Sequence, residues 1–124
     1  YVIPISEGAV SDAPALDVDT FADLVTAGVT ERTANGWNRK TLAAADLASM
    51  APDDTNNRMD IDIPDQTWTA VSTDAVTDLV ICYSATASPT NAQLVPLTQH
   101  DFAVTPSGGD VTAQIAAAGF YRAS

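Results

Sequence analysis

The sequence is poor in the two residues that most often bind metals or form covalent cross-links. Its 124 residues include one cysteine, Cys82, and one histidine, His100. A single cysteine cannot form a disulfide within the chain, and one residue of each type is too few for a typical zinc site. Because Cys82 lies in an almost continuously apolar run, we expect a buried side chain rather than a reactive thiol. The sequence therefore predicts neither a metal ion nor any other cofactor.

Basic residues are also scarce. Five Lys and Arg face sixteen Asp and Glu, which gives a formal net charge of −11. Binding to nucleic acid and to anionic membrane surfaces depends on basic side chains, so neither is expected as a partner. The sequence also lacks an apolar run of about 18 residues and the basic, apolar leader of a secreted protein. These features predict an acidic domain without a transmembrane helix.

Strand signals are the clearest positive features of the sequence. Residues 58–63 alternate, with Met59, Ile61 and Ile63 on one face and charged side chains on the other. This period of two predicts a half-buried strand with an acidic outer face. Residues 78–83 are almost all apolar, which is typical of a strand in the middle of a sheet.

Weaker patterns predict elements in the first third of the chain. Residues 1–5 are expected to form a short strand, which Pro4 places at a sheet edge because proline cannot donate to a strand ladder. A helix is predicted at residues 21–27, with its N-terminal cap at residues 19–20 and its end at Gly28. Further strands are predicted at residues 29–33 and 37–42.

The last third of the chain also has strand patterns. Residues 94–104 are mostly extended, and Pro96 marks an edge or a bend. A hairpin is predicted to join residues 102–105 to residues 111–115 through the turn at 106–109. A final strand is expected at residues 120–121. In the middle of the chain, residues 43–51 fit either a helical turn or an extended segment.

Together these elements predict a mainly β protein, a small antiparallel β-sandwich or barrel with one or two short helices. Residues 20–124 are expected to form a single domain, and residues 1–19 an extended N-terminal arm that carries the edge strand. The side chains expected in the core are Ile61, Ile63, Trp68, Leu79 and Ile81.

His100 and Asp101 are the first candidates for catalysis. An aspartate can orient an imidazole beside a nucleophile, but neighbouring strand residues point to opposite faces and would not pair in this way. The sequence also has no Gly-x-Ser-x-Gly elbow. A structural or surface histidine is therefore the favoured interpretation, and a small hydrolase is kept as an alternative hypothesis.

The acidic residues are the second candidates. Asp60 and Asp62 share a predicted strand face roughly 7 Å apart, and Asp53, Asp54 and two asparagines crowd the preceding loop. Calcium binds such oxygen clusters, and glycosidases use paired carboxylates. However, the loop lacks the spaced ligands and closing glutamate of a calcium loop. A solvated turn and a solvated strand face are the favoured interpretation.

Four aromatic residues are the third candidates. A carbohydrate-binding module would present its aromatic side chains as an exposed platform. Aromatic residues at strand ends more often pack in a core or between subunits. The four residues are Trp37, Trp68, Tyr83 and Tyr121.

Several segments of the chain resemble small structural proteins encoded among the virion genes of tailed bacteriophages. In those proteins an aromatic residue follows a glycine, as Trp37 follows Gly36, and an Asp-x-x-Trp segment follows the acidic strand. An apolar strand then ends in tyrosine and an acid, whereas here Ser84 follows Tyr83. The resemblance covers about residues 30–123 and rests on GWNRKTL (36–42), DTNNR (54–58), DIPDQTW (62–68), AVTDLVICY (75–83), PLTQHDF (96–102) and AGFYR (118–122).

The resemblance implies a β-rich virion component rather than an enzyme, and it brings no active-site residues. A small, acidic, single domain fits a capsid decoration (cement) protein that stabilises the shell. A tail or head–tail joining component is the alternative within the virion, and a carbohydrate-binding β module is the alternative outside it. The implied partners are the major capsid protein, other virion proteins and further copies of the chain.

The N-terminal arm is the predicted contact with these partners. Tyr1, Val2 and Ile3 have strand character and are followed by small residues. We expect these three residues to add to the edge of a neighbouring sheet.

Overall fold

The computed structural model describes residues 1–7, 17–47, 52–116 and 119–123. Within these ranges every strand pairing is antiparallel, and the sheets do not close into a barrel. The mainly β antiparallel prediction is confirmed. The elements are β1 (Val2–Ser6), α1 (Phe21–Thr26), β2 (Thr30–Glu31), β3 (Pro52–Asp53), β4 (Arg58–Ile61), β5 (Gln66–Trp68), β6 (Val76–Tyr83), β7 (Val95–Val104), β8 (Val111–Ala113) and β9 (Tyr121–Ala123).

The main sheet has the strand order β2-β1-β6-β7, and two smaller sheets have the orders β3-β4-β9 and β5-β8. Strand β6 lies inside the main sheet, as its continuous apolar run predicts, and both of its faces are buried. Leu79 and Ile81 point to one face, while Val80 and Cys82 point to the other. The main sheet is therefore the middle layer of the fold.

Two apolar clusters cover the two faces of this sheet. The first brings the small β5-β8 sheet and the tryptophans onto the face of Leu79 and Ile81; its buried members are Val2, Trp37, Ile63, Trp68, Val71, Val76, Leu79, Ile81 and Ala113. The second brings α1 onto the face of Val80 and Cys82; its buried members are Ile3, Ile5, Phe21, Leu24, Val29, Val80, Cys82 and Leu94.

Four of the five predicted core residues, Ile63, Trp68, Leu79 and Ile81, are buried. Ile61 is only half-buried, so the prediction for this residue is wrong. It lies in β4, a strand whose residues are all partly exposed in the smaller three-stranded sheet. Of the three apolar residues that alternate in residues 58–63, only the last, Ile63, therefore reaches the main core.

The short helix forms where the sequence predicts it. Thr20 and Asp23 form a capping box: the Asp23 amide donates to Thr20 Oγ1, and Asp23 Oδ2 accepts from the Thr20 amide at 2.9 Å. Phe21 and Leu24 are buried against the main sheet. Of the ambiguous residues 43–51, Ala44–Leu47 form a 3₁₀ turn, and residues 48–51 lie outside the described part of the chain.

The first strand is not at an edge, so that prediction is wrong. Strand β1 pairs with β6 on one side and β2 on the other, and the side chains of Val2 and Ile3 are buried. Residues 1–6 therefore belong to the domain core rather than to an arm. Tyr1, Val2 and Ile3 cannot add to a neighbouring sheet while they occupy this position. Residues 8–16 of the predicted arm lie outside the described residues.

Pro4 fits inside the sheet because of the side on which its missing N–H would lie. Val2 exchanges two backbone hydrogen bonds of 2.9 Å with Lys40, on the side away from β6. Pro4, two residues later, directs its backbone to the same side, and its carbonyl accepts from the Arg32 amide at 2.9 Å. The hydrogen bonds between β1 and β6 therefore lose no donor. For this reason a proline can occupy β1 although the strand is not at the edge of the sheet.

Two further strand predictions need correction. Residues 37–42 form only an isolated bridge between Lys40 and Val2. Strand β8 pairs with β5 rather than forming a hairpin with β7. The turn after β7 accounts for this pairing of β8 with β5. In it the Gly108 amide donates to the Val71 carbonyl at 2.7 Å, and the Val71 amide donates to the Gly109 carbonyl at 2.9 Å. These bonds direct the chain away from β7.

Truncating Ile81 tests this arrangement. We expect Ile81→Ala to lower the free energy of unfolding by about 2–5 kcal/mol, because it leaves a cavity in the first cluster. Urea denaturation followed by tryptophan fluorescence measures the change. The control Val25→Ala truncates an exposed β-branched side chain and should shift stability by less than about 0.5 kcal/mol. Equal stability of Ile81→Ala and the parent would contradict the described core.

Candidate interaction surface

The two tryptophans are buried and pack against each other, with ring centroids 5.3 Å apart. Trp37 Nε1 donates to the Asp74 carbonyl at 2.8 Å, and Trp68 Nε1 donates to the Asn38 carbonyl at 2.7 Å. Gly36 makes this packing possible: its φ is 94°, and a Cβ there would lie 2.7 Å from the Thr69 carbonyl oxygen.

The carbohydrate platform, kept as an alternative for these four aromatic residues, is therefore not assembled. Trp37 and Trp68 are core residues, while Tyr83 and Tyr121 are exposed in two different sheets. A glycan platform needs coplanar aromatic side chains on one exposed face. The packing interpretation of the tryptophans is the correct one.

His100 and Asp101 lie on opposite faces of β7, where His100 is paired with Leu79 and Asp101 with Asp78. The imidazole Nε2 is 2.9 Å from Thr98 Oγ1. The ring also meets Phe120 edge-on, with centroids 6.0 Å apart. The histidine is thus held by a hydroxyl and an aromatic ring, and its neighbour in sequence does not orient it.

A cavity of about 330 Å³ adjoins His100. It lies between the main sheet and the C-terminal segment, and its walls include Leu79, Ile81, Phe102 and Phe120. The described lining residues include no Ser, Thr or Cys, so the hydroxyl that bonds to the imidazole, that of Thr98, does not line this cavity. The cavity is suited to an apolar group.

The acidic strand face is neutralised by two arginines. Arg122 in β9 lies opposite Asp60 in β4, and its Nε is 2.5 Å from Asp60 Oδ1. Arg58 lies 3.1 Å from Asp53 and 3.5 Å from Asp60. Asp62 instead accepts the amide of the next residue at 2.9 Å. Sequence reasoning missed Arg122, because only the pairing of β4 with β9 brings it to this face.

These contacts argue against the catalytic and metal interpretations of the acids. The hydrogen bond from Arg122 lowers the pKa of Asp60, whereas a glycosidase acid needs a raised pKa. Hydrogen bonding to Asn56 lowers the pKa of Asp53. Across the part of the chain that the structure describes, no three side chains of His, Cys, Asp or Glu gather as a metal site would require.

The surface with the clearest potential for interaction is the outer edge of β7. The orientation of this edge follows from the main sheet. The Cys82 amide donates to the Tyr1 carbonyl at 2.9 Å, so Cys82 and Val80 direct their backbone groups to β1. Leu79 and Ile81 alternate with them and direct theirs to β7.

On β7 these two residues are paired with His100 and Thr98. The alternate residues Gln99 and Asp101 therefore direct their N–H and C=O groups away from β6, to the outer edge. Among the described strands β6 is the only partner of β7. The outer edge thus presents main-chain donors and acceptors for another strand.

Pro96 and the apolar side chains nearby fit this position. Pro96 is paired with Cys82, so its missing N–H falls on the outer edge, and its predicted edge position is confirmed. Tyr83, Val95 and Leu97 are 58%, 45% and 56% exposed, and they are three of the five large apolar residues found exposed in the described chain. They form an apolar patch beside the edge.

Most of this region is free of charge, with Asp101 as the one acid in β7, although the chain as a whole is strongly acidic. Between Asp78 and Asp101 the sequence contains no Asp, Glu, Lys or Arg. This uncharged run was visible in the sequence, but its position at a free edge required the sheet order. We call Tyr83 together with Val95–Val104 the β7 edge surface.

Comparisons of the chain with models of known families, with curated proteins and with solved structures found no match. None of the helices in the described residues has the length and hydropathy needed to cross a bilayer.

The Cys82 thiol provides a test of burial on the helix-covered face. Burial raises the pKa of Cys82 to about 12, so almost no thiolate is present near pH 8. We expect a disulfide-exchange reagent to leave the folded protein unmodified at pH 8 and to modify one thiol per chain in denaturant. Rapid modification of the folded protein would contradict the buried position.

The Asp60–Arg122 pair gives a test of the acidic face. Because the folded-state pKa of Asp60 is lowered, the pair stabilises the fold above the ordinary pKa of aspartate, and this contribution is lost as the pH falls through the lowered value. Arg122→Gln should raise the pKa of Asp60, as measured by carboxyl NMR titration. Arg32→Gln removes an equal charge elsewhere and should leave that pKa unchanged; equal shifts in both variants would refute the pairing.

Proposed function

We propose that the protein is a structural component of a bacteriophage virion, and specifically a capsid decoration (cement) protein that binds and stabilises the shell. The observation that carries the proposal is the β7 edge surface, a free strand edge with an apolar patch and a single acidic residue, Asp101, on a domain of net charge −11. A decoration protein must stay soluble alone and then contact neighbouring proteins. Charge serves the first need, and an open edge serves the second.

The segments that resemble phage structural proteins support the same proposal. They include the tightest parts of this fold: the Gly36–Trp37 turn, the buried Trp68 and the central strand β6. The resemblance therefore includes residues that build the scaffold, as is expected for proteins that share a structural role.

The major capsid protein is the proposed partner, and the chain's charge defines what its binding site should offer. A net charge of −11 is matched by basic residues on the shell. Contacts between such charges are screened by salt, while apolar contacts along an edge are not. The salt dependence of binding to the shell therefore separates the contribution of charge contacts from that of apolar contacts.

A tail or head–tail joining component would use the same surface. Immunogold labelling of purified particles distinguishes the two locations, because a decoration protein labels the whole head. Labelling confined to the tail or neck would replace the decoration assignment by this alternative.

The direct test uses particles of the phage whose genome encodes the chain. Quantitative mass spectrometry should find the protein in many copies, and deleting its gene should lower the temperature at which heads release DNA. Adding the purified protein to deficient particles should restore that temperature. We expect binding to weaken as salt rises from about 0.05 M to about 0.5 M. Absence from purified particles would refute the proposal.

A further inference from the structure

Acidic side chains gather at one end of the β7 edge surface. Asp101 lies opposite Asp78 in the ladder between β7 and β6. The side-chain amide of Gln99, on the same face of β7 as Asp101, donates to Glu7 Oε1 at 2.5 Å and to Asp78 Oδ1 at 3.4 Å. One neutral amide is thus shared between two carboxylates, with a third beside it. The opposite end of the surface is the apolar patch.

The carboxylates of this group lack donors. Asp78 is 2% exposed, and its second oxygen, Oδ2, is buried without a hydrogen-bond partner. A buried carboxylate oxygen normally has a donor, because leaving it without one costs free energy. Asp101 is exposed, and its carboxylate forms no ion pair with any described residue. The site therefore has room for a donor, and a positively charged donor suits it best.

The five basic side chains of the chain all lie in its described segments, and all are engaged elsewhere. Their contacts are Arg32 to the Ala75 carbonyl, Arg39 to Glu31, Lys40 over the Trp68 ring, Arg58 to Asp53 and Asp60, and Arg122 to Asp60. In the same segments no three side chains of His, Cys, Asp or Glu are placed to hold a metal ion. The cation that fits is therefore a basic side chain of another molecule.

We infer that the β7 edge surface binds an extended segment of a partner protein, antiparallel to β7, with an arginine or lysine opposite Asp101. The main chain of this segment bonds to the outward N–H and C=O groups of Gln99 and Asp101. Opposed residues of an antiparallel pair have Cβ atoms about 4.5–5.5 Å apart, so the basic side chain lies beside Asp101, on the face that also carries Asp78. Arginine suits this position best, because its guanidinium donates two parallel hydrogen bonds to one carboxylate. The segment belongs to the major capsid protein, an assignment that rests on the proposed function.

The shape of β7 limits where the segment pairs. The ladder with β6 is regular from Thr98 to Asp101 and irregular on both sides of this stretch, and Pro96 has no N–H to donate beyond it. An antiparallel segment runs from Asp101 toward Leu97, so the residues that follow its basic residue meet the apolar patch. A second copy of the chain is not this partner, because its net charge of −11 opposes approach to an acidic site. The segment is therefore basic first and apolar afterwards.

Synthetic peptides measure this recognition on the intact protein. The peptide acetyl-Thr-Arg-Thr-Val-Thr-Val-Thr-amide has the expected order, and its citrulline analogue replaces the guanidinium by a neutral group of the same shape. A third peptide, with N-methyl groups on alternate residues, cannot donate along one edge. Nuclear magnetic resonance titration up to about 1 mM peptide covers weak binding. We expect the arginine peptide to slow hydrogen exchange at the amides of Gln99 and Asp101, and both analogues to bind at least about fivefold more weakly.

Matched charge variants locate the site. Asp101→Asn removes one carboxylate at the β7 edge surface, and Asp54→Asn removes one from an exposed turn, where it has no ion pair with a described residue. We expect Asp101→Asn to weaken binding of the arginine peptide at least about fivefold and Asp54→Asn to weaken it less than about twofold. Raising the salt concentration from about 0.05 M to about 0.5 M should reduce the difference between the two variants.

No binding of the arginine peptide up to about 1 mM overturns the inference. Equal binding of the citrulline peptide refutes the basic residue, equal binding of the N-methyl peptide refutes strand pairing, and equal effects of the two variants refute the position at Asp101. A protein that is abundant on heads but does not bind the peptide would refute only this partner segment. Conversely, a protein that binds the peptide and is absent from particles would refute only the proposed function.

Discussion

The packing of Trp37 against Trp68 is the contact on which most of the fold depends. Each indole N–H donates to a backbone carbonyl in a loop, one at Asn38 and one at Asp74. Losing either buried bond would leave a polar group unsatisfied, which costs about 1–3 kcal/mol. The pair thereby holds two loops in one arrangement and places Lys40 where it can bond to the first strand.

The main sheet consequently has both faces covered, by the tryptophan cluster on one side and the helix on the other. Little of its face is left for a ligand, except the cavity beside His100. The remaining polar groups mostly serve the structure. Asp60 bonds to Arg122, and Glu31 makes a bidentate contact with Arg39. Such pairs neutralise charge and fix the geometry of the loops and strands that carry them.

An open strand edge is normally a hazard, because it can pair with any extended chain. Here Pro96 and two ladder irregularities restrict it, and the strongly acidic chain repels further copies of itself. Similar constraints suit a protein that must remain soluble before assembly and then associate in a defined way. The edge therefore carries features that protect it against unspecific pairing while its backbone groups stay free.

The sequence by itself determined the local elements: the helix that begins after the cap at residues 19–20, its end at Gly28 and the buried strand β6. These depend on neighbours in the chain, so local patterns predict them. It also contained the uncharged run between Asp78 and Asp101. Only the tertiary structure decided that β1 lies inside the sheet, that β8 pairs with β5 and that Arg122 meets Asp60. A period of two specifies a strand's faces but not its partner, because pairing is decided by contacts between residues far apart in the chain.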